Sequence, residues 1–138
     1  FMADNGRPFP RCKTTVYDSG VKTPFVVSFP PLAKDGAVNP QIVSSIDLAP
    51  TIAELAGLSS QPTFQGKSLL PTLKDREKGV RDYVYAEHNW HDYRAFERSV
   101  RSERWLYIAN ATPELTASPP ADAVRSPTFE AMVALERK

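Results

Sequence analysis

An α/β fold finished by a small antiparallel sheet is what this sequence predicts, and three observations carry the prediction. Phe25 to Phe29 is a nearly unbroken apolar run set between prolines, which reads as a short strand buried on both faces, as in a parallel or mixed sheet. A well-punctuated helix follows: Asp47 is placed to cap it, Pro50 falls in its first turn, and Gly57 sits where a C′ residue belongs. Strand-like alternation then recurs at Val80–Ala86, Ser99–Arg101 and Trp105–Ala109, the last two joined through Ser102-Glu103-Arg104 as a hairpin.

The chain opens on Phe1-Met2-Ala3, the end of a buried strand that runs into Asp4-Asn5-Gly6. Leu32 to Pro40 is loop, with Lys34-Asp35-Gly36 as its turn. In the helix, Leu48, Ile52 and Leu55 share one face, and Ala49, Ala53 and Ala56 form a small-residue stripe beside it. Gln65-Gly66-Lys67-Ser68 invites a phosphate-loop reading, but the residue five before Gly66 is Gln61 where that motif needs glycine. It is read instead as a turn that delivers Leu69, Leu70 and Leu73 to the core. Ala111 to Pro127 is proline-rich and reads as an extended surface wrap. A terminal helix over Pro127–Leu135 should bury Phe129, Met132, Val133 and Leu135.

With 138 residues and 41% hydrophobic content the chain has enough material for one ordinary core. A formal charge of +1 gives no electrostatic footprint for nucleic acid, and no run of about 18 apolar residues predicts a membrane span. Thirteen prolines, about twice average usage, point to irregular connections. The single cysteine, Cys12, excludes an internal disulfide and leaves the redox compartment undecided. Because Phe1 falls in mid-strand, the chain is expected to be the C-terminal portion of a longer enzyme.

Asp4 and Asn5 offer two hard oxygen ligands for a divalent cation, and Gly6 lets the backbone turn sharply. Lys13 can return a positive charge to the same place. A cation beside an ammonium implies an anionic ligand, although Asp-Asn-Gly is also a common turn signal that binds nothing. His88 and His91 flank Asn89-Trp90, and a zinc set drawn from them with Glu87 and Asp92 is incomplete. The better reading is a loop in which His88, Trp90, His91 and Arg94 meet a substrate through hydrogen bonds and stacking. Arg98, Arg101 and Arg104 alternate faces on a strand and are expected to pair with Glu97 and Glu103.

Asp4-Asn5-Gly6, Lys13, Tyr17 to Pro24, Asp47 to Thr51, Gln65 to Leu70 and Ser99 to Trp105, in that order, resemble the sulfatase family of the alkaline-phosphatase superfamily. The match is to its C-terminal half, and the pattern is most similar to heparan N-sulfatase (sulfamidase)-like enzymes. The resemblance implies the end of the sulfatase α/β catalytic domain over residues 1–78. Residues 79–138 would then be a small antiparallel sheet subdomain with a proline-rich wrap and terminal helix. It also implies Ca²⁺ bound by Asp4 and Asn5 with an upstream carboxylate pair, and Lys13 on a sulfate or leaving-group oxygen. The formylglycine nucleophile, made from a Cys/Ser-x-Pro-x-Arg motif, would lie in the missing N-terminal part. Cys12, followed by Lys13-Thr14-Thr15, cannot be it and is read as a half-buried thiol beside the site. The substrate implied is a sulfated carbohydrate such as a glycosaminoglycan, and the location periplasmic, secreted or lysosomal. The alternatives are a phosphodiesterase or phosphonate hydrolase of the same superfamily, which Lys13 disfavours, and a non-catalytic carbohydrate-binding or scaffold module.

Overall fold

The computed structural model describes residues 1–33, 36–59, 61–115 and 119–136. Lys34 and Asp35 of the expected turn, Ser60, and 116–118 of the proline-rich stretch lie outside the described residues. Two compact units are interleaved along the chain, one from Phe1–Val26, Tyr85–Val100 and Leu106–Lys138, the other from Val27–Val84 and Arg101–Trp105.

In the first unit the main feature is the antiparallel sheet of β1 (Val84–Trp90), β2 (Arg94–Arg101) and β3 (Leu106–Asn110), in the order β1-β2-β3. The first two strands reach further towards each other than the alternation suggests. Their ladder continues through polar cross-strand pairs, Glu87 with Arg98 and His88 with Glu97, which carry no apolar signal in the sequence. His88 and Trp90 therefore stand on β1, and Arg94 opens β2. Ala86, His88, Glu97, Ser99, Leu106 and Ile108 line the inner face, while Tyr85, Glu87, Phe96 and Tyr107 are exposed on the outer one.

No full strand forms at the N-terminus. Met2 makes a single antiparallel bridge to Phe25, held by Val26 N–H to the Phe1 carbonyl at 2.7 Å and Ala3 N–H to the Pro24 carbonyl at 3.2 Å. The strand expected to be buried on both faces is instead open, with Val26 58% exposed. A segment with one backbone partner over so short a length is only partly covered, Phe25 and Phe29 each remaining 36% exposed.

Helices α1 (Asp18–Val21), α4 (Ala121–Val124) and α5 (Pro127–Glu136) complete this unit. The expected wrap thus contains α4, and Pro120 and Ala123 are fully buried. Ser126 caps α5, its hydroxyl accepting Phe129 N–H at 3.2 Å. Phe129 and Val133 are half-buried, but Met132 and Leu135 of the expected core face are exposed.

The second unit holds α2 (Leu48–Leu55), entered through a 3₁₀ turn at Ser45–Asp47, and α3 (Leu70–Lys74). Asp47 does not cap α2. Its carboxylate is fully buried and accepts Ser44 N–H and Lys67 N–H, each at 2.8 Å, and a guanidinium N–H of Arg81. Gly66 makes this possible, since a Cβ there would stand 2.0 Å from the Ile46 carbonyl oxygen. The Gln65–Ser68 segment is therefore a structural staple. Thr51 continues it, donating to the Asp47 carbonyl at 2.5 Å and accepting Leu69 N–H at 2.8 Å. Leu69 and Leu70 are buried as expected. The buried face of α2 is Pro50 and Thr51, whereas Ile52, 64% exposed, and Leu55 are open. A polar lock, not the apolar stripe, holds the helix within this chain.

Candidate functional site

Two glycines fix the first unit's N-terminal loops. Gly6 N–H donates to the Gly20 carbonyl at 2.9 Å, and a Cβ on Gly6 would meet the Ser19 oxygen at 2.3 Å. A Cβ on Gly20 would meet the carbonyls of Thr15 and Cys12 at 2.3 and 2.4 Å. Backbone lies on backbone, so Asp4-Asn5-Gly6 and Tyr17-Asp18-Ser19-Gly20 form one assembly, and the loop between them must fold back over it.

Lys13 sits in that loop between two left-handed residues, Arg11 at φ 62° and Thr14 at φ 66°. For a β-branched residue such as Thr14 this conformation is an outlier, costing about 1–2 kcal/mol. Local bonds offset it: Lys13 N–H to the Arg7 carbonyl at 3.0 Å, and the Thr15 hydroxyl to the Cys12 carbonyl at 2.8 Å. Cys12 itself is a free, half-buried thiol beside Lys13.

The Lys13 side chain, 24% exposed, runs to Asp122 on α4, with Nζ donating to Oδ2 at 2.8 Å. This hydrogen bond, opposed by partial desolvation and reinforced by the charges of Asp122, Asp4 and Asp92, holds the ammonium above its ordinary pKa of 10.5. Asp122 is held below 3.8, first by the same bond. Asp92 is lowered too, chiefly because its Oδ2 accepts Ala121 N–H, at 2.6 Å, and secondarily by His91.

Asp122, depressed in the fold, stabilises it above the ordinary carboxylate value and loses that contribution as pH falls through its lowered pKa. Lys13, raised in the fold, contributes below 10.5 and loses it as pH rises past its raised value. The α4 attachment is therefore expected to hold across the window from 3.8 to 10.5. Hydrogen exchange at Ala121 N–H should show protection throughout that window and release on the acid side.

Asn5 donates its amide nitrogen to the Gly6 carbonyl at 2.7 Å, which leaves the amide oxygen as the end it has to offer a cation. Asp4 is exposed and within electrostatic reach of Lys13. This donor set, a carboxylate and an amide oxygen, fits the hard-oxygen chemistry of calcium. It is only part of the about six to eight oxygens calcium takes, and among the described residues no group of three or more His, Cys, Asp or Glu could hold a metal ion.

The set expected to face a substrate divides. Trp90, 69% exposed, closes β1, Arg94 is exposed at the start of β2, and His91 lies between them with Nδ1 3.3 Å from Asp92 Oδ2. All three belong to one hairpin tip, and Asp92 of that tip holds α4. His88 stands apart on the inner face, its Nδ1 3.4 Å from Glu97 Oε2 and its Nε2 buried without a hydrogen-bond partner among the described residues. The two histidines thus turn to different carboxylates.

Arg98 pairs differently from the expectation. Arg98 takes Glu87 at 3.3 Å and stacks on Phe96, with its guanidinium carbon 4.4 Å from the ring centroid. Arg101 donates to the carbonyls of Ser102 and Glu103, and Arg104 lies over Trp105. Glu97 is directed to His88, and the partner of Arg98 lies one strand across.

Asp122 is the residue that sequence reasoning passes over. Its only signal is an acid in the first turn after Pro119-Pro120, a helix-start signature inside a stretch that otherwise reads as wrap.

Residues 11–112 match the sequence model of the N-sulphoglucosamine sulphohydrolase C-terminal family. An ulvan-active sulfatase of Formosa agariphila is 34% identical over 138 residues, covering 99% of this chain and 23% of that protein. Human N-sulphoglucosamine sulphohydrolase is 29% identical over 140 residues, covering 94% of this chain and 28% of that one. The chain spans about a quarter of the length of these relatives. Among solved structures, a 2-O GAG sulfatase superposes with a TM-score of 0.66 at 23% identity, over 99% of this chain and 33% of the other. A protein solved with its substrate D-glucosamine-2-N,6-O-disulfate gives 0.60 at 20% identity, over 89% and 29%. These likenesses establish the fold as that of the C-terminal part of sulfatases, with the sheet and terminal helix in place. With the family model matched over most of its length, the chain belongs to the sulfatases, in the N-sulphoglucosamine sulphohydrolase C-terminal family.

Proposed function

We propose that this chain is the C-terminal part of a calcium-dependent sulfatase that hydrolyses sulfate esters or N-sulfates of a sulfated carbohydrate. Residues 1–78 complete its α/β catalytic domain, and residues 79–138 form the added sheet subdomain. The observation that supports the reading is that Lys13 lies within electrostatic reach of Asp4 and of Asp92, which itself sits 3.3 Å from His91, so that three separate stretches of sequence meet around the ammonium. Open apolar side chains at Val26, Ile52 and Leu55 accord with a larger body covering them.

Asp4 and Asn5 would supply two oxygens to Ca²⁺, completed by upstream residues, and the ion, when bound, neutralises charge on sulfate oxygens. Lys13 does its work as a fixed cation. Sulfate cleavage builds negative charge on the leaving oxygen, and an ammonium already in place stabilises that charge without reorganisation. Its raised pKa keeps it charged at any physiological pH. Trp90 offers a stacking face for a sugar ring, while His91 and Arg94 offer donors to its hydroxyl or sulfate groups. His88, half-buried against Glu97, serves this surface from behind by fixing β1. The formylglycine nucleophile belongs to the upstream part, since Cys12 lacks the required neighbours. A periplasmic, secreted or lysosomal setting goes with the family.

The test is release of inorganic sulfate from sulfated oligosaccharides, with and without a calcium chelator. The whole enzyme should release sulfate and lose activity on chelation, while the 138-residue chain alone should not turn over an aryl sulfate. Turnover by the isolated chain, or preference of the whole enzyme for phosphate esters, would overturn the reading.

A further inference from the structure

We propose that Asp122 is the positioning residue for Lys13, and that the β1–β2 hairpin tip sets Asp122 in place through Asp92. The inference rests on the reading of Lys13 as the cation that meets the sulfate group.

Lysine is a point charge on a flexible four-carbon stem, so its position must be imposed by a partner. That partner here is Asp122 Oδ2 at 2.8 Å from Nζ, a charge-assisted hydrogen bond across 109 residues of sequence. Asp122 is itself anchored. Its neighbours Pro120 and Ala123 are fully buried, and Ala121 N–H is held by Asp92 Oδ2 at 2.6 Å. Asp92 also lies 3.3 Å from His91 on the hairpin tip that presents Trp90 and Arg94. The tip that reads the sugar and the cation that meets the sulfate are therefore joined by two carboxylates. An ammonium has three N–H donors; Asp122 takes one, which leaves two for the anion and fixes their direction. The carboxylate also repels an incoming anion, so Asp122 should favour the aligned transition state at some expense to ground-state affinity.

A double-mutant cycle in the whole enzyme separates positioning from folding. Asp122→Asn should lower kcat about ten- to a hundredfold, the loss expected from misplacing a reacting group by about an ångström, with KM unchanged or lower. In a Lys13→Ala background, Asp122→Asn should cause no further loss. Asp92→Asn, which keeps an acceptor for Ala121 N–H, should retain activity that Asp92→Ala loses. If Asp122→Asn leaves kcat unchanged, or lowers it equally when Lys13 is absent, Asp122 is structural and the proposal falls while the role of Lys13 stands. If Lys13→Ala itself leaves kcat unchanged, the reading of Lys13 fails and the positioning role goes with it.

Discussion

Asp47→Ala is expected to destabilise the protein by roughly 3–5 kcal/mol, the cost of removing one partner from a buried ion pair. Asp47 is fully buried, and its carboxylate accepts from Arg81, from Ser44 N–H and from Lys67 N–H. Truncation leaves a mostly buried guanidinium without its counter-charge, and Arg81 Nε already lacks a hydrogen-bond partner among the described residues. It also releases Gln65–Ser68, the segment that feeds Leu69 and Leu70 into the core. Asp47→Asn should cost less, because an amide oxygen can still accept from the backbone. Urea unfolding should show the midpoint falling in the order wild type, Asn, Ala. A midpoint for Asp47→Ala within error of wild type would show that the staple contributes little.

In the whole enzyme, Lys13→Ala is expected to lower kcat by about two to three orders of magnitude, the usual loss when one preorganised charge-stabilising donor is removed. The fold should survive. The side chain leads to a polar cluster, and what it leaves behind, Asp122, is nearly half exposed and can be hydrated. Single-turnover sulfate release with intact thermal unfolding would distinguish lost chemistry from lost protein. An unchanged rate would make Lys13 a surface tether for α4 and nothing more.

These two residues also show how far the sequence can be read. Asp47 is legible as an acid at the start of a helix, and the helix is real. What cannot be read is that its carboxylate turns back to Lys67 and Arg81, because partners 20 and 34 residues away leave no local pattern. Lys13 and Asp4 are legible from their order with Tyr17–Pro24, and Gly6 and Gly20 explain that order as backbone packed on backbone. The strand ends are not legible where His88, Asn89 and Arg94 break the apolar alternation, since cross-strand charge pairs hold a ladder without any hydrophobic period. The faces of Val26, Ile52 and Leu55 read as core in the sequence yet stand open, because periodicity reports that a face is to be buried, not what buries it.

The pairing of Lys13 with a residue 109 positions further on has a consequence for biosynthesis. Chains are made from the N-terminus, and a contact of such long sequence separation is among the last to close. Lys13 leaves the ribosome 109 residues ahead of Asp122, on a strained loop, and its partner arrives only when the proline-rich stretch has been made. The cation therefore gains its orientation only once Asp122 has been made. On the proposed reading, an enzyme made only as far as the sheet would hold its lysine idle, and a loss confined to the stretch around Asp122 would silence a site whose own loop is intact.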